Sequence, residues 1–206
     1  MKFFQTLLLV LISIAISQAQ IKLSNSSFEG IPKDATTPLG WDPCGMNSTP
    51  DILPGHWGVE RAPADGKTFI GLITREDNTW EYIGQNLNQS LKANECYTFS
   101  AEIARSPTYA GYNQPIKLKI WGGNKPCEKE QLLAFTQPIT HFEWKPYDFL
   151  FFPKKSYNYL IIEAHFVDGT VIPYRGNLIM DNCSLIEVCE RALAEPPVSD
   201  ACEPGC

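Results

Sequence analysis

A short segment from Arg75 to Leu87, REDNTWEYIGQNL, places an arginine and three carboxylates around a tryptophan and a tyrosine. Two carboxylates about 5 to 9.5 Å apart, one of them with a raised pKa, are what glycoside hydrolysis requires. Aromatic rings beside arginine and acidic side chains also suit sugar binding, because the rings pack on apolar C–H faces while the polar groups satisfy the hydroxyls. The segment is therefore compatible with a hydrolase site, a sugar-binding surface or an ordinary strand edge.

The carboxylates of this segment favour binding over catalysis. Asp77 has the sequence context of a turn, and its neighbour Glu76 is expected to face water. Glu81 lies in a strand-like run, where pairing with Arg75 or Arg105 would lower its pKa, the wrong direction for a general acid. The three histidines lie in unrelated contexts, and the sequence contains no GxSxG, HExxH or Gly-rich phosphate loop. We therefore predict no catalytic residues, with a glycoside hydrolase as the less favoured alternative.

Aromatic and arginine side chains are the candidate ligand-binding groups. With a period of two, Trp80 and Tyr82 share one face of a strand, and Ile83 and Leu87 lie on the opposite, buried face. Single aromatic residues in strands are more often core than binding platform, so both interpretations stay open. The predicted ligand-binding residues are Trp57, Arg75, Trp80, Glu81, Arg105 and Trp121.

Two members of this set stand out by their context. Trp121 shares a polar face with Lys117 and Lys119 in the alternating run PIKLKIW, and GGN follows at the strand end. Arg105 ends an alternation of apolar residues, and an inward-pointing arginine needs a carboxylate or a ligand as partner. These two positions are the strongest candidates for a binding face.

The elements that must position these residues are strands. Short runs rich in β-branched and aromatic residues alternate with Gly, Pro, Asn and Asp clusters, and the only helix-like runs are 129–134 and 190–194. This pattern predicts an all-β fold, a two-sheet sandwich or jelly roll. The predicted strands are 67–74, 96–104, 115–121, 147–152, 157–166 and 177–188. The predicted core residues are Phe99, Ile103, Leu118, Ile120, Phe149, Phe151, Ile161 and Leu178.

A proline- and glycine-rich segment at 31–63 interrupts the strand pattern. It holds six prolines and four glycines, which set turns and block regular ladders. Loops of this length are usually functional or disordered, and two tryptophans with a cysteine favour order. We predict an ordered loop that packs over one sheet and presents Trp41 or Trp57.

The first twenty residues predict export. MKFFQTLLLVLISIAISQAQ has one lysine, an apolar core and small residues at Ser17 and Ala19, as in a signal peptide cleaved after Ala19. Its apolar run is shorter than the roughly 20 residues of a spanning helix. A formal charge of −6, with 17 basic and 23 acidic residues and no basic run, excludes nucleic acid as the expected partner. The mature chain from 20 to 188 is predicted to be one secreted or cell-surface domain.

Seven cysteines in an exported chain predict disulfides. The last four are not spaced as the close ligand pairs of a zinc site, and no histidine lies near them. The odd number leaves at least one thiol unpaired within the chain. The segment 189–206, which contains prolines and cysteines, is expected to be a linker or the start of another module.

Several blocks, in order along the chain, resemble the galactose-binding-like jelly roll of carbohydrate-binding modules: NSSFEG, GW, DGKTFIGL, CYTFSAEIA and MDNCSLIEV. More closely, GWDPCG, PADGKTFIGLITREDNTWEYIGQNL and PYRGNLIMDN resemble a module of secreted, often gliding-associated proteins of the Bacteroidota. The resemblance spans residues 21–188. It implies a jelly-roll sandwich, and it implies a glycan or cell-surface polysaccharide as the partner.

The same resemblance implies a structural calcium ion that joins the first and last strands. The matching positions are the carboxylates of Glu29 and Asp181 and the carbonyl of Lys67. Calcium takes six to eight hard oxygen ligands in irregular geometry, which these groups could begin to supply. In the alternative interpretation, Glu29 and Asp181 accept hydrogen bonds from turn amides.

The sequence as a whole favours a secreted, non-catalytic carbohydrate-binding module. A cell-surface adhesion or assembly domain that recognises protein is the alternative from another class. Sugar binding predicts a cluster of aromatic and polar side chains, whereas adhesion predicts an exposed apolar patch.

Overall fold

A computed structural model describes residues 20–45 and 47–189 of the 206-residue chain. The predicted signal peptide at 1–19, the helix-like run at 190–194, and Cys202 and Cys206 lie outside the described residues. Within the described part of the chain, no helix is long and apolar enough to cross a membrane.

Twelve β-strands and no helix form the regular structure of the described residues. This agrees with the content of β-branched and aromatic residues, which pack well on pleated surfaces. The strands are β1 Asp42–Cys44, β2 Asp51–Leu53, β3 Phe69–Thr74, β4 Tyr82–Leu91, β5 Tyr97–Ala104, β6 Gln114–Pro115, β7 Lys117–Gly123, β8 Gln131–Phe135, β9 Lys145–Phe151, β10 Tyr157–His165, β11 Gly176–Asp181 and β12 Glu187–Val188.

The strands form two sheets. The first has five strands in the order β1-β4-β10-β7-β8, all antiparallel. The second has seven strands, with the order β12-β5-β11-β3-β2, the edge strand β9 beside β5, and the short β6 beside β11. Most neighbours in the sheet order are not consecutive along the chain, as in a jelly roll; the exceptions are the pairs β7-β8 and β2-β3. The predicted all-β, two-sheet jelly-roll fold is confirmed.

The main core lies between the inner faces of the two sheets. Leu118 and Ile120 of β7 and Leu160 and Ile162 of β10 are fully buried and belong to one cluster with Leu178 of β11. Each such side chain contributes about 1.5–3 kcal/mol when it is buried. Seven of the eight predicted core residues belong to this cluster.

Ile161 is the exception, and its predicted place in the main core is wrong. It alternates with Leu160 and Ile162 along β10, so its side chain points to the outer face of the five-stranded sheet. There it packs with Cys44 and Tyr159 in a small separate cluster. The apolar run of β10 hid the alternation because this strand is covered on both faces.

The predicted helix-like run at 129–134 is also wrong. Its last four residues belong to β8, which pairs with β7, with Phe135 opposite Lys119 and Gln131 opposite Gly122. The residues Glu, Gln, Leu and Ala favour a helix only weakly, by tenths of a kcal/mol each. The free backbone groups at the edge of β7 outweigh that preference by offering a hydrogen-bonded partner.

The described residues of 31–63 are ordered, as predicted, but they do not only pack over one sheet: they supply β1 to the five-stranded sheet and β2 to the seven-stranded sheet. Trp41 is buried in the main core, whereas Trp57 keeps 44% of its surface exposed. Of the two tryptophans, the segment therefore presents Trp57.

Two disulfides tie loops to strands. Cys44 of β1 is bonded to Cys127 in the connection between β7 and β8, and Cys96 is bonded to Cys189 after β12. Cys183 is buried and is the free cysteine of the described residues. The predicted disulfides and an unpaired thiol are both present.

Candidate functional site

The candidate site lies on the outer face of the five-stranded sheet, the side away from the main core. Alternation along β7 and β10 brings polar and aromatic side chains to this face. Strand pairing then aligns them in rows: Glu163 stands opposite both Tyr82 of β4 and Lys119 of β7, and Ile161 stands opposite Trp121. We call this surface the outer face; it comprises Trp80, Tyr82, Lys117, Lys119, Trp121, Lys129, Phe135, Glu163 and His165.

A buried carboxylate is at the centre of the outer face. Glu163 is 1% exposed, and it accepts hydrogen bonds from the indole N–H of Trp80 to Oε1 and of Trp121 to Oε2, each at 2.5 Å. The Lys129 ammonium forms an ion pair with Oε1. Glu163 therefore holds two tryptophans and a lysine, which reach it from three different segments.

Aromatic rings surround the Lys129 ammonium. Its Nζ lies 3.9 Å from the ring centroid of Tyr82 and 5.8 Å from those of Trp80 and Trp121. These distances allow cation–π attraction, worth about 0.5–2 kcal/mol per contact. Lys129 belongs to the connection between β7 and β8, and the disulfide at Cys127 fastens that connection to β1.

A small cavity of about 230 Å³ opens beside this cluster. Its aromatic walls are Trp80 and Tyr82, and the amides of Asn47 and Asn78 add donors and acceptors. Both asparagines have positive φ, 68° and 64°, a conformation that asparagine adopts more readily than most residues. The His165 ring packs against Trp80, with ring centroids 4.8 Å apart. The cavity thus combines two apolar rings with hydrogen-bonding groups.

Trp80 and Trp121, two of the predicted ligand-binding residues, meet on this face through Glu163. The prediction that Trp80 and Tyr82 share one face and that Ile83 and Leu87 lie on the opposite one is also confirmed, because Ile83 and Leu87 are buried in the main core. Whether these residues bind a ligand stays a prediction.

Arg75 and Glu81 lie on the opposite side of β4. Glu81 is fully buried against the Arg75 guanidinium, its predicted partner, and it also accepts hydrogen bonds from the Ile73 amide and the Thr49 hydroxyl at 3.1 Å each. The expected lowering of its pKa is wrong. Burial disfavours the charged carboxylate and raises the pKa of Glu81 to about 8, although Arg75 opposes the change.

The carboxylates of this segment do not share a cleft. Glu76 is exposed and pairs with Arg175 at 2.6 Å. Asp77 is exposed and accepts hydrogen bonds from the amide and hydroxyl of Thr79, at 3.1 and 2.7 Å, as expected of a turn residue. Glu81 is enclosed in the interior, so the three groups occupy three separate environments.

Trp57 and Arg105 lie in loops of the seven-stranded sheet, Trp57 between β2 and β3 and Arg105 directly after β5. Trp57 packs edge to face against Tyr112, with ring centroids 6.3 Å apart. Arg105 donates to the carbonyl of Asn113 and lies 4.7 Å from the ring centroid of Phe142. The structure therefore separates these two predicted residues from Trp80 and Trp121. A different cavity of about 550 Å³ is lined by the neighbouring residues at 58–61, 106–108 and 142–143, among them Phe142, the ring that Arg105 contacts.

Glu163 and Lys129 were not predicted from the sequence. Glu163 left a signal, because it is the only acidic residue in the run YNYLIIEAHF. A carboxylate in an otherwise apolar strand needs a partner or marks a site. Lys129 left no such signal, since its position depends on the path of a connection and on a disulfide.

The residues predicted to hold calcium are held by amides. Glu29 Oε1 accepts hydrogen bonds from the amides of Lys67 at 2.8 Å and Thr68 at 3.2 Å. Asp181 accepts from the amides of Ala64 at 2.8 Å and Asp65 at 2.9 Å. In residues 20–45 and 47–189, no group of three or more His, Cys, Asp and Glu side chains is placed to hold a metal ion. The hydrogen bonds from backbone amides that the alternative interpretation predicts are therefore present, and calcium binding stays a prediction.

Comparison with known proteins identifies the fold. No protein-family profile matches the chain, and no curated protein matches its sequence. Among solved structures, a xylan-binding domain of Xyn10C from Paenibacillus barcinonensis is 15% identical with a TM-score of 0.51, over 83% of this chain and 95% of that one. A cleaved adhesin domain of Lys-gingipain from Porphyromonas gingivalis is 12% identical with a TM-score of 0.50, over 82% of this chain and 99% of that one. At these identities the likeness concerns the fold alone, which is a jelly roll like that of carbohydrate-binding modules.

Replacement of the central carboxylate is expected to destabilise the protein. Glu163→Ala leaves two indole N–H groups and the Lys129 ammonium without their acceptor, so we expect the free energy of unfolding to fall by about 3–5 kcal/mol. Urea denaturation followed by tryptophan fluorescence measures the change. Glu128→Ala, an exposed position in the same connection, is the matched control. Equal stability of the two variants would contradict the central role of Glu163.

The raised pKa of Glu81 predicts a pH-dependent stability. Unfolded, this carboxyl loses its proton near its ordinary pKa of 4.5, whereas in the fold it keeps the proton up to about pH 8. The folded state therefore binds more protons across this range, and the free energy of unfolding decreases as the pH rises from about 4.5 to about 8. The denaturation midpoint, measured at several pH values, should depend less steeply on pH in Glu81→Gln than in the original chain. Glu76→Gln, an exposed neighbour, should keep the slope of the original chain.

Proposed function

We propose that this chain is a non-catalytic carbohydrate-binding module whose glycan binds across the outer face. The observation that carries the proposal is the anchoring of Trp80 and Trp121 on one buried carboxylate, Glu163, beside the ring of Tyr82. Aromatic rings offer a large apolar surface to the C–H face of a sugar, and the polar edges of the site serve its hydroxyls. The xylan-binding domain with the same fold supports this choice of ligand class.

The anchoring also makes binding less costly. A side chain that becomes immobile on binding costs about 0.5–1.5 kcal/mol of ordering. The indoles are already held by hydrogen bonds of 2.5 Å, and His165 and Phe166 pack against Trp80. A sugar would therefore meet a surface that is ordered before it arrives.

The positions of the acidic residues favour binding over hydrolysis. A glycosidase needs two carboxylates that face the same bond. Glu81 is enclosed with Arg75, and Glu163 is already occupied by the two indoles and Lys129. The two disulfides favour an exported protein, because oxidising compartments let such bonds persist. We infer a secreted or cell-surface module.

Adhesion to a protein is the second candidate function. The observation that favours it is the exposed apolar pair Val171 and Ile172, which are 91% and 79% exposed in the connection between β10 and β11. The adhesin domain of similar fold supports this alternative. Such a pair would insert into a pocket of a protein partner rather than bind a glycan.

Loss of one tryptophan tests the proposed glycan site. Trp121→Ala is expected to weaken glycan binding by at least about tenfold, as for a central aromatic anchor. Affinity electrophoresis in gels that contain xylans, glucans or mannans measures this loss. Trp57→Ala removes an exposed tryptophan beyond the other sheet and should bind as the original chain does.

Two further outcomes complete this test. Trp121→Phe keeps an aromatic ring but loses the hydrogen bond to Glu163. Its affinity therefore distinguishes the contribution of ring stacking from that of the hydrogen bond that holds the ring. If the folded protein binds no glycan of the panel, the carbohydrate proposal is wrong and adhesion is favoured.

We also propose calcium as a structural ion at Glu29, Asp181 and the Lys67 carbonyl. The support is chemical: Asp181 is fully buried, its bonds come from backbone amides, and no cationic side chain of the described residues pairs with it. A divalent cation would compensate its charge. Calcium at about 100 times its Kd is expected to add about 2.7 kcal/mol to the free energy of unfolding.

Thermal unfolding in calcium and in EDTA measures this effect. Asp181→Asn should abolish the difference, whereas Asp148→Asn, an exposed position on β9, should retain it. If the original chain unfolds at the same temperature in calcium and in EDTA, the calcium proposal is wrong, and Glu29 and Asp181 only accept hydrogen bonds from backbone amides.

A further inference from the structure

The outer face carries a lysine without a partner. Lys117 is 4% exposed and pairs with Asp168 at 2.5 Å, and Lys129 pairs with Glu163. Lys119, two residues after Lys117 on β7, makes no salt bridge or side-chain hydrogen bond with any residue of 20–45 or 47–189. Of three lysines on this face, one is therefore unpaired.

The natural partner of Lys119 is already engaged. Glu163 stands directly opposite Lys119 in the pairing of β7 and β10. Its two oxygens, however, accept from Trp80, Trp121 and Lys129. Strand pairing thus brings a carboxylate next to Lys119, but three other donors bind this carboxylate and the Lys119 ammonium does not.

The charges around Lys119 leave one positive charge in excess. The charged groups that act most strongly on it are Glu163, Asp168, Lys117 and Lys129. These four form two ion pairs with each other, so they contribute two negative and two positive charges and cancel. The ammonium of Lys119 remains, although the chain as a whole has a formal charge of −6.

The place of Lys119 suits a group attached to a stacked sugar. It lies two residues before Trp121 on the same face of β7, about 6.6 Å along the strand, within reach of its four-carbon side chain. Its partner on β8 is Phe135, which is 53% exposed. A ring packed on Trp121 would therefore carry a substituent toward Lys119 without leaving the sheet.

We propose that the glycan recognised on the outer face carries an anionic group, a carboxylate or a sulfate, and that Lys119 is the residue that binds it. This inference rests on the proposed function. A charge-assisted hydrogen bond between an ammonium and such an anion is stronger than a neutral one. Partial burial lowers the pKa of Lys119, and an anion beside it would restore the charged form.

Paired polymers test the preference directly. Glucuronoxylan, alginate and polygalacturonate are each compared with their carboxyl-reduced forms, and a sulfated galactan with its desulfated form, by isothermal titration calorimetry. We expect the anionic member of at least one pair to bind about tenfold more tightly, which is the effect of one hydrogen bond to a charged group. The carboxylate and sulfate pairs identify which anion is preferred. The preference should shrink at high salt, because the charged group is partly exposed.

Three variants assign the preference to Lys119. Lys119→Gln should bind the anionic and neutral members equally, and Lys119→Arg should keep the preference. Lys145→Gln removes the same charge from an exposed position on β9 in the other sheet and should also keep it.

Three results would contradict the inference, and one of them would also contradict the proposed function. Equal affinity of the original chain for both members of every pair overturns the inference and leaves the proposed function in place. An equal loss of preference in Lys119→Gln and Lys145→Gln also overturns it, because the attraction is then general. Absence of binding to anionic and neutral polymers alike overturns the inference and the carbohydrate proposal together.

Discussion

The candidate site depends on one buried carboxylate. Glu163 is buried in a mostly apolar strand, where an uncompensated charge would cost several kcal/mol. Trp80, Trp121 and Lys129 compensate it with two N–H groups and an ammonium. The groups that satisfy this charge are also the groups that present the aromatic surface. Stability and the proposed binding function therefore rest on the same hydrogen bonds.

Backbone pairing supplies the remaining geometry of the site. The antiparallel register of β4, β10 and β7 puts Tyr82, Glu163 and Lys119 in one row across the sheet. Lys129 comes from a connection, and the bond between Cys44 and Cys127 fixes that connection to the edge strand β1. The surface thus combines strands of a sheet with a loop that a disulfide holds in place, and binding sites are often built from loops that a scaffold positions in this way.

A second buried polar cluster has a different role. Glu81 binds Arg75 inside the fold, and Asp51 accepts hydrogen bonds from the Tyr109 hydroxyl and the Ala35 amide. Burial raises the pKa of both carboxyls. These contacts attach the segment 31–63 to strand β3 and to the loop after β5. They hold it in place despite its many prolines and glycines, and both acidic groups are buried.

The sequence by itself determined the fold class, because alternating β-branched and aromatic runs between turn residues require two packed sheets. It also determined that Trp80 and Tyr82 share a face, since a strand has a period of two. It did not determine the site, and it placed Trp57 and Arg105 with residues from which the structure separates them. Only the tertiary structure brought Glu163, Trp121 and Lys129 together. Their contacts depend on strand order, register and a disulfide between residues 83 positions apart, and no local pattern encodes such long-range pairing.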